Sequence, residues 1–402
     1  MTILLIVRRS LRQHALSTAI TALSIALAGG LLMAVWIVKE QSHAAFTGVN
    51  AGFDAVLGAR GSKLQLVLNT VFHLEESPGN IPWSDYLEIQ KNRNVQVAIP
   101  IAVGDNYRGY RLVGTTTNLF TDVEYVTGRK YALAQGRAFN QEYREAVVGS
   151  FAAQQLGLKY GDTFKPYHGL IYNENDQHAE VYTVVGVMEP SNTPADRVIW
   201  IPLAGLQKMS GHMASSADEI SGVLIKLKGT NPLIGKNMEL MYNKQGNRLT
   251  LAWPIATIVA QLFNKIAWFD RVLAMVAYLV AAVATGSILA SIYNSMNERR
   301  RDIAILRALG ARRRVIFCSV VLEAAAIAAI GAVAGFLVYG GITTLAAKII
   351  RAQTGVVIDP LVWHQVMWLA PLAMVGVSAL AGIVPAVKAY RTNVAEHLTP
   401  VS

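Results

Sequence analysis

Hydrophobic positions are concentrated in four long runs, unevenly placed along the chain. Residues 16–38 read LSTAITALSIALAGGLLMAVWIV without a charge. At 1.5 Å rise per residue, such a run spans the roughly 30 Å hydrocarbon core of a bilayer. Residues 272–293 and 366–387 are also uncharged, and 315–339 carries a single charge, Glu323. Pro371 and Pro385 lie near the two ends of the last run, as a membrane helix tolerates when its neighbours re-satisfy the freed carbonyls. Arg8, Arg9 and Arg12 precede the first run, as they would in a signal peptide. That run exceeds the ~7–15-residue apolar segment of a signal, and no small-residue cleavage site follows. It is read as a retained helix.

Between the first and second runs the pattern changes. Segments 96–103, 110–116, 145–149, 180–188, 197–203 and 222–228 are rich in β-branched or aromatic residues and bounded by Gly, Pro, Asn or Asp, which predicts strands. Helical patterns lie between them. Trp83, Tyr86 and Ile89/Gln90 share a face after Pro82, residues 150–156 stop at Gly157, and 232–244 carries Met238, Leu240 and Met241. A further helical pattern over 253–270 leads into the second apolar run, as a stalk would. The expected organisation is an interfacial N-terminal helix (1–15), spans at 16–38, 271–293, 315–340 and 366–387, and an outer α+β domain with its stalk at 39–270. A coupling segment (294–314), an outer loop (341–365) and a tail (388–402) complete it.

Composition supports a membrane protein. Charged residues are 15% of the chain, against about 25% in ordinary soluble domains, and hydrophobic residues are 53%. The net charge of +10 would suit a nucleic-acid partner, but its placement argues against one. Arg8, Arg9 and Arg12 precede span one, seven arginines lie between Asn294 and Phe317, and Lys388 and Arg391 follow span four. Four spans put these segments on one side, which the positive-inside rule makes cytoplasmic, together with both termini. The single cysteine, Cys318, excludes an intrachain disulfide and a Cys-based zinc cluster.

No G-x-x-x-x-G-K-[ST], H-E-x-x-H, G-x-S-x-G or G-x-G-x-x-G occurs, so no catalytic, cofactor or metal residue is assigned. Six histidines (His43, His73, His168, His178, His212 and His364) fall on the outer side, none in an i,i+4 pair. His168 and His178 could handle a metal, but the reading taken is exposed surface histidines.

The stretch NSMNERRRDIAILRALGARRRVIF (294–317) is partly a topology anchor. Its apolar residues ask for more. Ile303, Leu306 and Gly310 follow helical spacing with Leu309 beside them, a short amphipathic helix suited to lipid headgroups or to a groove on a partner protein. Glu323 lies roughly 12 Å into the third span at 1.5 Å per residue, where a carboxylate costs at least ~2.5 kcal/mol. It reads as a helix-interface residue facing another span. The alternative is a protonated acid bonded to a backbone carbonyl. A proton relay is set aside because no second buried ionisable residue answers it. Gly331 and Gly335 form G-x-x-x-G, which allows close helix approach.

The pattern RRRDIAILRALGARRRVI, with Glu323, Gly331 and Gly335 behind it, resembles the signature of the MacB/FtsX-type permeases, the membrane subunits of type VII ABC transporters. The ending PAVKAYRTNVAEHL is similar to the family's closing motif through Pro385, Ala386, Ala389, Glu396 and Leu398. GRAFN, EAVVGSFAAQQLGLKYGDTF and YTVVGVM…DRVIWIPL resemble the MacB-type periplasmic core. Asp302 stands where the family usually has Glu, Ala304 where Gly is common, and Asn393-Val394 in place of Asp-Pro.

The resemblance implies a bacterial inner-membrane protein with four transmembrane α-helices in a 1+3 order and a large α+β periplasmic domain inserted between the first and second. It implies two permease chains, most simply a homodimer, with ATP bound by a separate cytoplasmic ABC ATPase rather than by this chain. Arg301, Asp302, Ile303, Leu306, Arg307, Leu309 and Gly310 would then couple to the ATPase, and Glu323, Gly331 and Gly335 would form the helix interface. ATP-driven motion would pass to the outer domain, for export or extraction of a substrate, with a periplasmic adaptor, lipoprotein or other periplasmic protein as a further partner. A signalling member that switches a periplasmic partner without moving a solute is the alternative. A membrane-anchored enzyme is disfavoured because no nucleophile–base or metal pattern is present.

Overall fold

The computed structural model describes residues 3–48, 51–142, 144–210, 218–298, 311–354, 357–359 and 362–391. The chain divides into two compact units. One comprises Met1–Gln41, Ile266–Lys348 and Asp359–Ser402, and the other Ser42–Lys265 and Ile349–Ile358. The chain enters through two helices, α1 (Ile3–Gln13) and α2 (Ala15–Gly48). The Thr18 N–H donates to the His14 carbonyl across their junction.

The second unit is built on a mixed sheet of eleven strands. In chain order the elements begin with β1 (Ala55–Ala59), α3 (Lys63–Thr70), β2 (Ile81–Pro82), α4 (Trp83–Gln90), β3 (Val95–Tyr107), β4 (Tyr110–Thr115) and α5 (Asn118–Thr121). They continue with β5 (Glu124–Val126), β6 (Arg129–Lys130), β7 (Leu133–Gly136), β8 (Glu145–Val148), α6 (Ser150–Leu156), β9 (Thr163–Phe164) and β10 (Tyr167–His168). The last are β11 (Tyr182–Met188), β12 (Ile199–Pro202), α7 (Leu203–Gln207), β13 (Glu219–Ile220), β14 (Gly222–Leu227), α8 (Pro232–Leu240) and β15 (Leu249–Ala252). The strand order is β15-β1-β14-β3-β4-β12-β8-β11-β7, with β10 on β3 and β9 on β11. Two pairs are parallel, β12 with β4 and β11 with β8.

Period-2 alternation gives the sheet two buried faces. Leu112, Ile199, Ile201, Val223 and Ile225 enter one core with Ile89 of α4. Their chain neighbours Val113, Trp200 and Leu224 enter the other, with Leu66 and Val67 of α3. All six expected strands and all three expected helices of this unit are present. Gly157 ends α6 in the left-handed region at φ 70°, a conformation that a residue without Cβ adopts at no steric cost.

Three helices follow among the described residues: α9 (Ile255–Glu298), α10 (Arg313–Thr354) and α11 (Val366–Arg391). Among the described residues, Ala15–Ala44, Arg313–Thr354 and Val366–Val387 are long and apolar enough to cross a membrane. A shorter apolar stretch, Arg271–Val283, lies within α9. With α9 this gives one helix before the sheet domain and three after it. The helices outrun the expected spans. Residues 341–354, read as the start of an outer loop, are helical. ITTLAAKIIRA after Gly341 contains no helix breaker, and the Thr343 hydroxyl donates to the Tyr339 carbonyl at 2.8 Å. Likewise α2 runs to Gly48, past 38, because KEQSHAAFT holds neither Gly nor Pro.

Candidate functional site

The helical unit concentrates its close contacts on one face of α10. Ile316, Val320, Ala324, Ile327, Gly331 and Gly335 are buried there at spacings of three or four, the stripe that one helix presents to its neighbours. A Cβ added at Gly331 would lie 2.7 Å from the Ala22 carbonyl oxygen and 2.7 Å from Ile25 Cβ. At Gly335 it would meet the Ala26 carbonyl oxygen at 3.3 Å, and on α2 a Cβ at Gly30 would lie 2.7 Å from the Gly335 carbonyl oxygen. The α2 and α10 backbones therefore touch where Gly331, Gly335 and Gly30 meet. Packing of this closeness holds membrane helices together where burial from water contributes little. On α11, Gly382 makes the corresponding approach to Ala324 Cβ, at 2.8 Å.

Glu323 accepts a hydrogen bond from the Ser10 hydroxyl. Ser10 belongs to α1 and is buried, at 3% exposure. A carboxylate within an apolar helix needs such a donor, since burial without one costs several kcal/mol. This partner lies on α1, the helix before the first expected span. Sequence reading missed Ser10, a lone serine among arginines.

Further along the same unit, the Gln41 side chain bonds the backbone of Asp359 reciprocally. It donates to the carbonyl at 2.7 Å and accepts from the N–H at 2.9 Å. His364 Nε2 lies 3.1 Å from a Glu40 carboxylate oxygen. These contacts tie α2 to the segment that leads into α11. The residues expected to couple to an ATPase, Arg301, Asp302, Ile303, Leu306, Arg307, Leu309 and Gly310, lie outside the described residues, as does the tail after Arg391.

The reading of the outer histidines as exposed holds for His43 and His168 and is corrected for two others. His73 and His178 are buried, at 3% and 7% exposure. His73 sets its ring edge-on to Trp200 with centroids 5.5 Å apart. His43 packs edge-on to Phe263. Of the six, His212 lies outside the described residues. The burial of His73 and His178 was illegible because their contacts, Trp200 and Asp105 respectively, are distant in sequence.

The motifs of the sheet domain meet in one place. Gly136, at φ 80°, passes so close to the Val185 carbonyl that a Cβ would lie 2.0 Å from its oxygen. Arg137 grips both oxygens of Glu145 at 2.8 and 2.6 Å, and the Asn140 N–H donates to the same carboxylate at 2.8 Å. Phe139 is buried beneath them. A Cβ at Gly149 would lie 2.4 Å from the Asp196 carbonyl oxygen. GRAFN, EAVVGS and DRVIWIPL thus hold β7, β8, β11 and β12 together.

Two family models match this chain. Residues 18–233 match the family model of the MacB-like periplasmic core domain. Residues 274–394 match that of the FtsX-like permease C-terminal region. Among solved structures, the chain is similar to the extracellular domain of the noncanonic ABC-type transporter YknZ from Gram-positive bacteria, at 14% identity and TM-score 0.31, over 49% of this chain and 99% of that one. It is also similar to the periplasmic region of MacB from Actinobacillus actinomycetemcomitans, at 14% identity and TM-score 0.36, over 54% of this chain and 94% of that one. The two family models, matched in tandem and covering most of the sequence, make this chain a member of the MacB/FtsX-type ABC transporter permease family.

Proposed function

We propose that the chain is the inner-membrane subunit of an ABC system in which a separate cytoplasmic ATPase drives movement of the sheet domain on the periplasmic side, for export or extraction of a substrate. The observation that carries this reading is α9. It begins directly after β15, the last strand of the sheet, and continues unbroken to Glu298, where the arginine-rich segment starts. A continuous helix transmits displacement along its axis, whereas a flexible linker absorbs it.

The 301–310 segment is the proposed contact with the ATPase. Ile303, Leu306 and Leu309 would fill a groove, and the arginines would face acidic residues on its rim. A second copy of the permease completes the assembly, and both termini are cytoplasmic in this reading. Leu306→Asp tests it. The topology-setting arginines remain, so the variant inserts, but a carboxylate without a partner in the groove costs several kcal/mol. Co-purification of the ATPase and stimulation of its hydrolysis should both be lost. Arg312→Gln with Arg313→Gln should weaken binding less and reduce its salt dependence. Normal ATPase binding by Leu306→Asp would leave the segment as a topology anchor only.

A further inference from the structure

The sheet domain holds a cluster that neither the helix packing nor the motif contacts use. Asp105 sits near the end of β3, beside a register shift in its ladder with β4. Strand β10 pairs antiparallel with β3 and sets His168 opposite Asp105. The chain then turns back over 173–176. The Asp176 N–H donates to the Asn173 carbonyl at 3.2 Å, and the Asn173 amide to the Asp176 carboxylate at 2.6 Å. The His168 N–H donates to the Asp176 carbonyl at 2.7 Å and the His178 N–H to the Pro166 carbonyl at 2.9 Å. The returning segment, bridged to β10 through Gln177 and Tyr167, brings His178 beside His168.

Three potential ligands converge as a result. His168 Nδ1 lies 3.5 Å, and His178 Nε2 3.3 Å, from the same oxygen, Asp105 Oδ1. One ligand atom from each residue lies within 4.8 Å of the others. The imidazole centroids are 5.4 Å apart with the rings at 75°. Asp105 and His178 are buried, whereas the His168 side chain is 54% exposed.

Separation and donor type together select the ligand. Metal–ligand bonds of ~2.0–2.2 Å in a tetrahedron place neighbouring ligand atoms ~3.3–3.6 Å apart. The two distances to Asp105 Oδ1 fall in that window. They are long for direct charge-assisted hydrogen bonds, which run at about 2.7–2.9 Å. Imidazole with carboxylate suits Zn²⁺ and its first-row neighbours, while Mg²⁺ and Ca²⁺ prefer oxygen-only sets. Outer contacts orient the carboxylate. The Gly169 N–H donates to Asp105 Oδ1 at 3.3 Å, and the Asn106 amide fixes the Gly169 carbonyl at 2.8 Å. Supporting bonds of this kind are a regular part of metal centres.

We infer that Asp105, His168 and His178 form a binding site for a divalent first-row transition metal of the Zn²⁺ class, which clamps the 167–178 hairpin onto β3. Three protein ligands leave a fourth position, on the solvent side beside His168, for water or a ligand from another molecule. The inference is independent of ATPase coupling.

The test uses the full-length chain in detergent, in a Cys318→Ser background so that the thiol does not bind metal, with any affinity tag removed. After dialysis against chelator, calorimetric titration with ZnCl₂ should show one saturable equivalent per chain, undisturbed by excess Mg²⁺ or Ca²⁺. Co²⁺ should give the visible absorption of a tetrahedral centre. His168→Ala, at a half-exposed position that packing does not require, should weaken Zn²⁺ binding at least ~10-fold and abolish the Co²⁺ spectrum. Asp105→Asn should do the same. Absence of saturable Zn²⁺ binding by the parent chain would overturn the inference, and so would unchanged affinity and Co²⁺ spectrum in both variants.

Discussion

The Ser10 hydroxyl donates a hydrogen bond to the Glu323 carboxylate, joining residues 313 positions apart in sequence. The contact pins α1 to α10, about two helical turns before the glycine crossing. Polar contacts of this kind in membrane proteins average ~0.6 kcal/mol and reach ~1.7 kcal/mol in double-mutant cycles. A cycle of Ser10→Ala and Glu323→Leu, read as denaturant unfolding in detergent, should return a coupling energy in that range. Glu323→Gln keeps an acceptor for Ser10 and should cost less than Glu323→Leu. Strict additivity of the two single changes would show that the bond contributes nothing.

The glycine crossing predicts a graded series. Gly331→Ala places a methyl 2.7 Å from the Ala22 carbonyl oxygen, a backbone atom that cannot swing aside. Gly335→Ala meets its nearest neighbour at 3.3 Å, which a shift of a few tenths of an ångström relieves. Overpacking costs typically ~1–3 kcal/mol, so Gly331→Ala should lower the melting temperature in detergent clearly and Gly335→Ala only slightly. Gly340→Ala is the control, since a Cβ there meets nothing within 4 Å. The same loss at all three positions would mean that helix propensity, not the crossing, is being measured.

What the sequence disclosed follows from the range of the forces involved. Strands such as β4, β12 and β14 are apolar over most of their length because both sheet faces are buried, and their β-branched residues announce it. By contrast, β1 (AVLGA) and β15 (LTLA) hold one β-branched residue each, Val56 and Thr250, among Ala, Gly and Leu, and form strands because neighbours pair with them. The G-x-x-x-G was legible, but its opposite surface, Ala22, Ile25 and Ala26, was not, since small residues are common in any apolar helix. Ser10 gave no signal. For His168 and His178 a local clue existed: the NEND turn between them is what folds one imidazole back onto the other. Asp105, some sixty residues away, could be added only by the strand pairing.

Charge placement predicts the topology. Single cysteines at Asn173 and Ala311, in a Cys318→Ser background, should differ in labelling by a membrane-impermeant thiol reagent in intact spheroplasts. Asn173 lies in the exposed hairpin turn and should label. Ala311, beside the arginine cluster, should label only after lysis. The reverse pattern would invert the orientation and with it the assignment of the ATPase face.

His73 predicts an acid sensitivity of the sheet domain. Burial, reinforced by the nearby Arg111 guanidinium, lowers its pKa from 6.5 to about 3. Arg111 is itself held in place by bonds to the carbonyls of Leu74 at 2.8 Å and Glu75 at 2.5 Å. In the unfolded chain His73 binds a proton below pH 6.5, whereas in the folded domain it stays neutral down to about 3. Over that window the unfolded state binds the extra proton, so stability falls as pH falls, by ~1.4 kcal/mol per pH unit for this one group. Carboxylates titrate in the same range, so the comparison must be with a variant. His73→Asn removes the titration and suits the positive φ of 54° at this position, since Asn tolerates the left-handed region. It lowers stability at neutral pH by opening space beside Trp200. Between pH 6.5 and about 3 its stability should nonetheless decline less steeply than that of the parent chain, by close to one proton's worth of slope, in denaturant unfolding followed by tryptophan fluorescence. Parallel declines would show that His73 takes up its proton equally in both states, and that its burial is not what makes the domain acid-sensitive.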